Sequence, residues 1–500
     1  MDRRDFLRAS IVFGAVSAAI GTTAACSTES DTSRGSSTLR IAAFGNPTDE
    51  LNLTTATSPS VYLAAYNIWD SLALLVGDEV RYQLAESIEP NSDATEWTIR
   101  LEDGLKFSDG SPITSDDALA SILAIAKSPN AAQFWSDLDT EKSRAVDPAT
   151  TILVLRRPRA DFVLATLALM SPVMPKGESN PQVGSGAYRL ESGTASTGYV
   201  LVPSEHYYGP KPSLTRVEVR TVPDTTARRN ALTGGQVDLA LGLSSTDAQT
   251  LSENDSVQVI TNGGGSASAL TLVMNTRTAP FDDAELRRAM TAAIDRRQLV
   301  DIVFGGQGEV GNDLIGLGLP GYDNAITQRQ RDKDYARKVF ADKGMTELTL
   351  KSSEIIPGMN SAAELVKQQL SEIGVNLTID QVDPTTFYAD IPTLLSTPFL
   401  TSYYVNRPVA ASLPFMAGAT SSWNFSGFTS PALESALQSA QAETDEVKRQ
   451  EFYDAAQREL YENGAEAIWG YQKSIDGAAK GVQLKDISQG LPLLATATFN

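Results

Sequence analysis

Two strand–helix–strand patterns lie far apart in this sequence, and they constrain its fold more than any other feature. In the first, residues 216–222 alternate polar and apolar side chains, Asp224 can cap a helix over 225–233, and residues 236–243 form a second strand. Alternation with a period of two is typical of strands, and a carboxylate just before a helical run is typical of a helix start. The pattern predicts a compact βαβ unit.

The second pattern repeats this order later in the chain. Residues 347–353 are predicted to form a strand, residues 361–373 a helix with its apolar side chains on one face, and residues 375–382 another strand. Gly374 stands where a helix C-terminus commonly needs a glycine. Two such units so far apart predict an α/β protein with two bodies rather than one sheet.

The chain between these two units predicts a strand followed by two helices. TLVMN at 271–275 has the composition of a strand. Leu286, Met290 and Ile294 then recur every four residues, which places them on one face of a first helix. Asp295 can cap a second helix that ends at Gly305-Gly306.

Residues 96–127 have a different character. They contain an alternating strand, the turn dipeptides Asp103-Gly104 and Asp109-Gly110, and a helix that Thr114 or Ser115 can cap. Asp-Gly turns are typical of antiparallel hairpins. The segment therefore indicates an inserted α+β domain.

The N-terminus is predicted to be an export signal covering residues 1–25. Arg3-Arg4 is followed by an apolar run at 11–21, which is too short for a membrane span of about 20 residues. The pair, with Phe6 and Leu7, resembles a twin-arginine signal, which is an address that a receptor recognises.

Cys26, the single cysteine of the chain, ends Ala24-Ala25-Cys26, which resembles a bacterial lipobox. It has no partner for an internal disulfide, so we expect it to be lipidated. Residues 26–38 are predicted to be the lipidated cysteine and a flexible Ser/Thr/Gly-rich tether.

Composition and histidine usage exclude several classes of function. The net charge of −20 argues against a nucleic-acid partner, which requires a basic face. His206 is the single histidine, and no G-x-S-x-G nucleophile elbow lies near it, so neither a catalytic triad nor a Cys/His zinc site is expected. We expect no enzyme activity, no cofactor and no protein metal site.

The stretch between Asp390 and Glu434 is unusually free of charge. It holds one charged side chain, Arg407, although one residue in five is charged over the whole chain. Aromatic and amide residues surround this arginine. A guanidinium in such a setting binds a carboxylate or phosphate strongly, because little water competes for its donors.

Five segments in register resemble a known family, the extracytoplasmic solute-binding proteins of peptide/nickel-type ABC importers, bacterial family 5. The resemblance covers nearly all of the chain after the tether. It is carried by residues 84–117 (with EWTIRLEDGLKFSDGSPIT), 183–190 (VGSGAYRL), 205–240, 274–308 and 336–344 (ARKVFADKG).

This resemblance implies a two-lobed periplasmic-binding-protein fold with an extra α+β domain inserted in the first lobe. The implied domain boundaries are 39–56, 184–268 and 478–500 for lobe I, 57–183 for the inserted domain, and 269–477 for lobe II. It also implies a monomer, anchored by its lipid to the outer face of the cell membrane. The protein would capture a peptide or peptide-like solute between its lobes and deliver it to a permease driven by an ATPase.

The resemblance also raises a question about the ligand. In peptide-binding members the equivalent stretch reads Trp-x-Ala-Asp-x-x-x-Pro, and the aspartate pairs with the α-ammonium group of the peptide. Alignment on Pro408 places Tyr404 at that aspartate. Either an acid elsewhere in the chain supplies the negative charge, or the ligand carries no ammonium group there.

Arg407 is the charge that remains, and we expect it to bind an anionic group of the ligand. The alternatives are that it pairs with a structural acid, or that its stem packs on a tyrosine while its head reaches solvent. The candidate ligand contacts are Arg407, Asn406, Tyr403, Tyr404, Trp423, Asn275 and Asn46. Two other functions stay open: a peptide-binding lipoprotein with a chaperone or sensory role, and a binder of a nickel chelate or other small anion.

Overall fold

The computed structural model describes residues 37–56, 58–128, 131–384 and 386–499. The predicted signal and lipidation residues, Arg3, Arg4 and Cys26, lie outside these ranges. The helices are α1 Pro59–Ile68, α2 Ser115–Ile125, α3 Thr225–Thr233, α4 Ser245–Ser252, α5 Ala284–Ala293, α6 Arg296–Val303, α7 Lys333–Asp342, α8 Met359–Ser371, α9 Ile391–Ser396, α10 Val409–Ala417, α11 Pro431–Ala442 and α12 Glu446–Asn463.

The strands belong to two large sheets, one four-stranded sheet and short ribbons. They are β1 Thr38–Ala43, β2 Ala73–Val76, β3 Glu79–Tyr82, β4 Ala85–Pro90, β5 Glu96–Leu101, β6 Arg144–Asp147, β7 Thr150–Val154, β8 Tyr188–Thr194, β9 Gly198–Pro203, β10 Arg216–Thr221, β11 Leu239–Ala240, β12 Val257–Asn262, β13 Ser268–Met274, β14 Glu309–Val310, β15 Glu347–Ser352, β16 Asn376–Gln381, β17 Phe399–Val405, β18 Glu466–Gln472, β19 Ser474–Ala479, β20 Val482–Gln483, β21 Ile487–Ser488, β22 Leu491–Pro492 and β23 Thr498–Phe499.

The first large sheet has seven strands in the order β12-β19-β11-β1-β10-β9-β8. β1 lies between β10 and β11 and is parallel to both, so the first βαβ unit crosses over β1. The predicted helix is confirmed, because the Asp224 carboxylate accepts from the Ala227 amide at 2.7 Å and α3 follows. The predicted strand over 236–243 is shorter than expected, because Gln236 still bonds back to Ala231 and Gly242 takes a left-handed φ of 65°.

The second large sheet has six strands in the order β14-β18-β13-β17-β15-β16. β15 and β16 are adjacent and parallel, joined by α8, which confirms the second predicted βαβ unit. The predicted strand and two helices between the units also form, as β13, α5 and α6. Asp295 caps α6 by accepting from the Gln298 amide at 3.0 Å.

The region predicted to be inserted contains an antiparallel sheet in the order β4-β5-β7-β6, with α2 packed on it. Thr114 and Asp117 cap α2 reciprocally, as a capping box does. The Asp109-Gly110 turn closes a one-bridge hairpin between Lys106 and Pro112. Asp103-Gly104 instead leads out of β5, so it does not join two paired strands.

The two largest apolar cores are each built on one of the two large sheets. One combines residues of the seven-stranded sheet with the inserted region, and the other lies on the six-stranded sheet. The chain crosses from one large sheet to the other twice, at residues 262–268 and at 472–474. The boundaries predicted for lobe I and lobe II at 268/269 and 477/478 stay predictions.

Among the residues that the structure describes, no helix combines the length and the apolar character that a membrane crossing requires.

Candidate functional site

Arg407 lies where the six-stranded sheet meets the crossing point of the chain. β17 runs antiparallel to β13, and its last residue, Val405, pairs with Ser268 at the start of β13. Pro408 is the N-cap residue just before α10, with ψ at 146°. The Ser412 hydroxyl donates to the Arg407 carbonyl at 3.0 Å, so the arginine has a fixed backbone between a strand end and a helix start.

The Arg407 guanidinium has a polar partner and two aromatic ones. Its Nε and Nη2 both donate to the Gln489 amide oxygen at 3.3 Å. Its central carbon lies 5.4 Å from the centre of the Phe134 ring and 5.8 Å from that of Phe415, within cation–π range. Burial lowers the pKa of Arg407, against the opposing effect of the nearby phenols of Tyr66 and Tyr62.

Within the described part of the chain, no carboxylate forms a salt bridge with Arg407. An arginine guanidinium stays protonated in a protein despite such a shift. The site therefore holds a cation, only partly exposed, whose donors are held by a neutral amide oxygen. Such a cation is suited to an incoming anion.

Aromatic rings form a wall beside this arginine. Phe134, Phe415 and Trp423 stack in sequence, with 5.5 Å between centroids and 17° between planes at each step. Tyr388 meets Trp423 edge-on at 5.7 Å, and Tyr403 lies 6.4 Å from Tyr388. Phe134 belongs to the inserted region and the other rings to the second sheet's side, so the wall bridges two parts of the fold.

Tyr404 points to a buried acid. Its hydroxyl donates to Glu466 Oε1 at 2.8 Å, and its ring meets Phe415 edge-on. Burial raises the pKa of Glu466 to about 8, although the hydrogen bond from Tyr404 opposes the shift. An acid from elsewhere in the chain thus lies directly behind Tyr404.

Asn406 and Asn275 are both buried and bonded mainly to the backbone. Asn406 donates to the carbonyls of Leu317 and Gly264 at 2.9 and 3.1 Å and accepts from the Gly316 amide at 3.0 Å. These bonds attach the residue before Arg407 to the segments that contain Gly264 and Gly316.

Asn275 donates to the carbonyls of Leu395 and Thr397 and accepts from Arg277. No contact joins it to Arg407. Asn46 is exposed at the carboxyl end of β1, where its side chain accepts from Thr48. The structure thus brings Arg407, Tyr403, Tyr404, Asn406 and Trp423 into one region and shows no bond from Asn275 or Asn46 to that group.

Several residues of this site carry no signal that marks them in the sequence. Gln489 and Glu466 lie in the chain far from Arg407, and neither stands in a recognisable motif. Phe134 lies in the inserted region. A signal was present for Tyr62 and Tyr66, whose spacing of four on α1 places both on one helical face.

The described residues contain no group of three or more His, Cys, Asp or Glu side chains that could hold a metal ion. The side chain of His206 lies beside the Asp109-Gly110 turn.

Comparison with known proteins identifies a family whose model matches most of this chain. Residues 79–426 match the family model described as bacterial extracellular solute-binding proteins, family 5 Middle. The probable D,D-dipeptide-binding periplasmic protein DdpA of Escherichia coli K12 is 27% identical over 424 residues, which is 79% of this chain and 80% of that protein. The glutathione-binding protein GsiB of Salmonella typhimurium is 26% identical over 319 residues, 61% of this chain and 62% of GsiB.

A solved structure shows the same fold. The ABC transporter substrate-binding protein CtaP of Listeria monocytogenes superposes with a TM-score of 0.80 at 21% identity, covering 93% of this chain and 100% of CtaP. This likeness confirms the predicted α/β fold with two lobes.

Proposed function

Because the chain belongs to the bacterial extracellular solute-binding proteins of family 5, we propose that its Arg407 site holds an anionic group of a peptide-like solute. The protein is the substrate-binding component of an ABC importer, and it acts outside the cytoplasm as its relatives do. It captures a peptide or peptide-like solute between its lobes for delivery to permease and ATPase subunits.

One observation carries the proposal about Arg407. The guanidinium lies among aromatic rings and is held by a neutral amide, not by an acid of the described chain. A carboxylate can accept two parallel N–H bonds from a guanidinium, with a net gain of roughly 1.5–3 kcal/mol for bonds to charged groups. Both relatives above are named for ligands that carry carboxylates, a dipeptide and glutathione.

The rings and the acid complete the proposed site. We expect Trp423 and Tyr403 to line it, while Asn406 bonds the backbone next to Arg407 and the Tyr404 hydroxyl donates to Glu466. Asn46 and Asn275 stay candidate ligand contacts, and neither bonds to this group. We do not propose the nickel-chelate, chaperone or sensory roles, because the arginine site and the named relatives favour peptide-like solutes.

Calorimetry with matched ligands tests the proposal. The full chain would be titrated with the tightest-binding member of a tripeptide library and with its C-terminal amide. The wild type should prefer the free acid, and Arg407→Gln should weaken acid binding by at least about tenfold while amide binding changes little. Arg407→Lys should bind the acid more weakly than the wild type and more tightly than Arg407→Gln, since lysine keeps the charge and lacks the planar pair of donors.

Arg287→Gln is the matched control. Burial also lowers the pKa of Arg287, its guanidinium lies 5.9 Å from the Phe428 ring, and its hydrogen bonds go to backbone carbonyls. Its replacement should leave the acid-to-amide preference intact. If wild-type protein binds acid and amide equally, or if Arg407→Gln shifts both alike, Arg407 does not bind the anionic group.

We further propose that Arg3-Arg4 directs export by the twin-arginine route and that Cys26 is lipidated, which would anchor a monomer at the membrane surface. The signal-like N-terminus and the tether composition support this. Cys26→Ala should move the protein from the membrane fraction to the soluble extracytoplasmic fraction. If the distribution of Cys26→Ala between the two fractions equals that of the wild type, the proposed lipid anchor is wrong.

A further inference from the structure

The contact that holds Arg407 comes from the tip of a tight hairpin near the end of the chain. β21 and β22 pair antiparallel, with Ile487 opposite Pro492 and Ser488 opposite Leu491. The two residues between them, Gln489 and Gly490, have φ values of 48° and 81°. Two successive left-handed residues form the type I′ turn that joins such strands.

Gln489 is an unusual residue for this position. Left-handed backbone is uncommon for residues other than glycine, and asparagine, aspartate and glycine dominate such turns. A residue held against its preference is a reason to look for a function in its side chain. Here the side chain reaches Arg407.

The Gln489 amide is oriented from both sides. Its nitrogen donates to the Leu169 carbonyl at 3.1 Å, which turns its oxygen toward the Nε and Nη2 of Arg407. The hairpin itself is tied down, because the Gly77 amide donates to the Ile487 carbonyl at 3.1 Å. Arg81 also forms a salt bridge of 2.6 Å with Asp486.

The bond that Gln489 makes is weaker than the bond a carboxylate would make. One neutral oxygen is shared between two donors at 3.3 Å, beyond the usual range of about 2.7–3.2 Å for N–H···O bonds. A carboxylate offers one charged oxygen to each donor, typically at about 2.7–2.9 Å. An incoming carboxylate should therefore win the competition for these two donors.

We propose that Gln489 is a built-in occupant of the anion site, which holds the Arg407 donors until a ligand carboxylate displaces its amide oxygen. This inference rests on the proposed role of Arg407. It adds that the chain supplies its own competitor, so Gln489 affects the affinity for acidic ligands more than the affinity for neutral analogues. While Gln489 is in place, Nε and Nη2 of the partly buried arginine both have an acceptor, and the loss of that acceptor would cost free energy.

Two substitutions at one position test the competition. Gln489→Asn suits the left-handed backbone and shortens the side chain by one methylene, so the amide should no longer reach Arg407. Acid tripeptide binding should tighten by up to about tenfold, the effect of one lost competing hydrogen bond. Gln489→Glu places a carboxylate on the same donors, so acid binding should weaken by at least about tenfold.

The C-terminal amide of the same tripeptide is the matched probe. Its affinity should change less than that of the acid in both variants, because its neutral oxygen bonds the guanidinium no better than the Gln489 amide does. If Gln489→Asn weakens acid and amide alike, Gln489 only shapes the cleft and the inference is wrong. The inference is also wrong if neither variant changes the acid-to-amide ratio.

The two proposals fail in distinguishable ways. If the wild type binds no tripeptide, or if Arg407→Gln does not lower the acid preference, the role of Arg407 fails and the inference falls with it. If Arg407→Gln lowers that preference while Gln489→Asn and Gln489→Glu do not move it in opposite directions, only the competitor role fails. Melting temperatures of each variant show whether the fold is intact.

Discussion

At the scale of single residues, the described part of the site combines an arginine that pairs with no carboxylate and a buried carboxyl that pairs with no cation. Arg407 has a neutral amide as its polar partner, and Glu466 is bonded by the neutral phenol of Tyr404. Burial raises the pKa of Glu466 to about 8, so this carboxyl is mostly protonated at neutral pH. The sequence does not reveal Glu466, because it lies 62 positions after Tyr404 and only the folded sheet brings the two together.

Glu466 should make stability depend on pH in a defined direction. Its folded pKa of about 8 lies above the ordinary 4.5, so the native state holds a proton that the unfolded state releases between these values. The contribution of Glu466 is thus greatest below about pH 4.5 and is lost as pH rises toward about 8.

Glu466→Gln replaces the titrating carboxyl with a neutral amide, whose oxygen can still accept the hydrogen bond from Tyr404. Between about pH 4.5 and 8, the unfolding free energy of the variant should rise relative to that of the wild type. The difference should grow by at most roughly 1.4 kcal/mol per pH unit. Thermal melts of both proteins from pH 4.5 to 8.5 would measure the difference. A difference that stays constant with pH would show that Glu466 titrates normally. Comparison of the two proteins cancels Asp70 and Asp476, whose pKa values burial also raises, to about 7.

At the scale of helices and strands, local signals predicted the elements well and their contacts poorly. Asp224 and Asp295 cap the helices expected of them, since a cap acts within a few residues of its own position. The contact between α12 and the inserted region joins residues far apart in sequence. There, Tyr453 donates to Asp161 Oδ2 at 2.8 Å, and Arg159 donates to Asp161 Oδ1 at 2.7 Å.

This contact should contribute to stability through the Tyr453 hydroxyl. Both Tyr453 and Asp161 are buried, so Tyr453→Phe leaves a buried carboxylate with one fewer donor. We expect a loss of about 1–3 kcal/mol in unfolding free energy, measured as a lower melting temperature. Tyr461→Phe is the control, because that hydroxyl bonds an exposed carbonyl of Thr327 and its loss should change stability by less than about 0.5 kcal/mol. Equal losses for both variants would mean that the buried hydrogen bond of Tyr453 contributes no more to stability than the exposed one of Tyr461.

At the scale of the whole molecule, the two large sheets are joined by two crossings of the chain, and the arginine site lies next to one of them. β13 begins at Ser268 beside the end of β17, and Gln489 approaches the same region from the last segment of the chain. Two βαβ patterns were enough to predict two α/β bodies. The ring wall was not predictable, because Phe134 and Phe415 come from segments that no local pattern connects.

Native mass spectrometry of the full chain purified from its own host tests the central claim most directly. Wild-type protein should retain a ligand whose mass and fragmentation identify a peptide-like solute with a carboxylate or other anionic group. The same preparation of Arg407→Gln should have lost most of it, while Arg287→Gln should retain it. A retained solute without an anionic group, or one that Arg407→Gln holds as well as the wild type does, would contradict the claim.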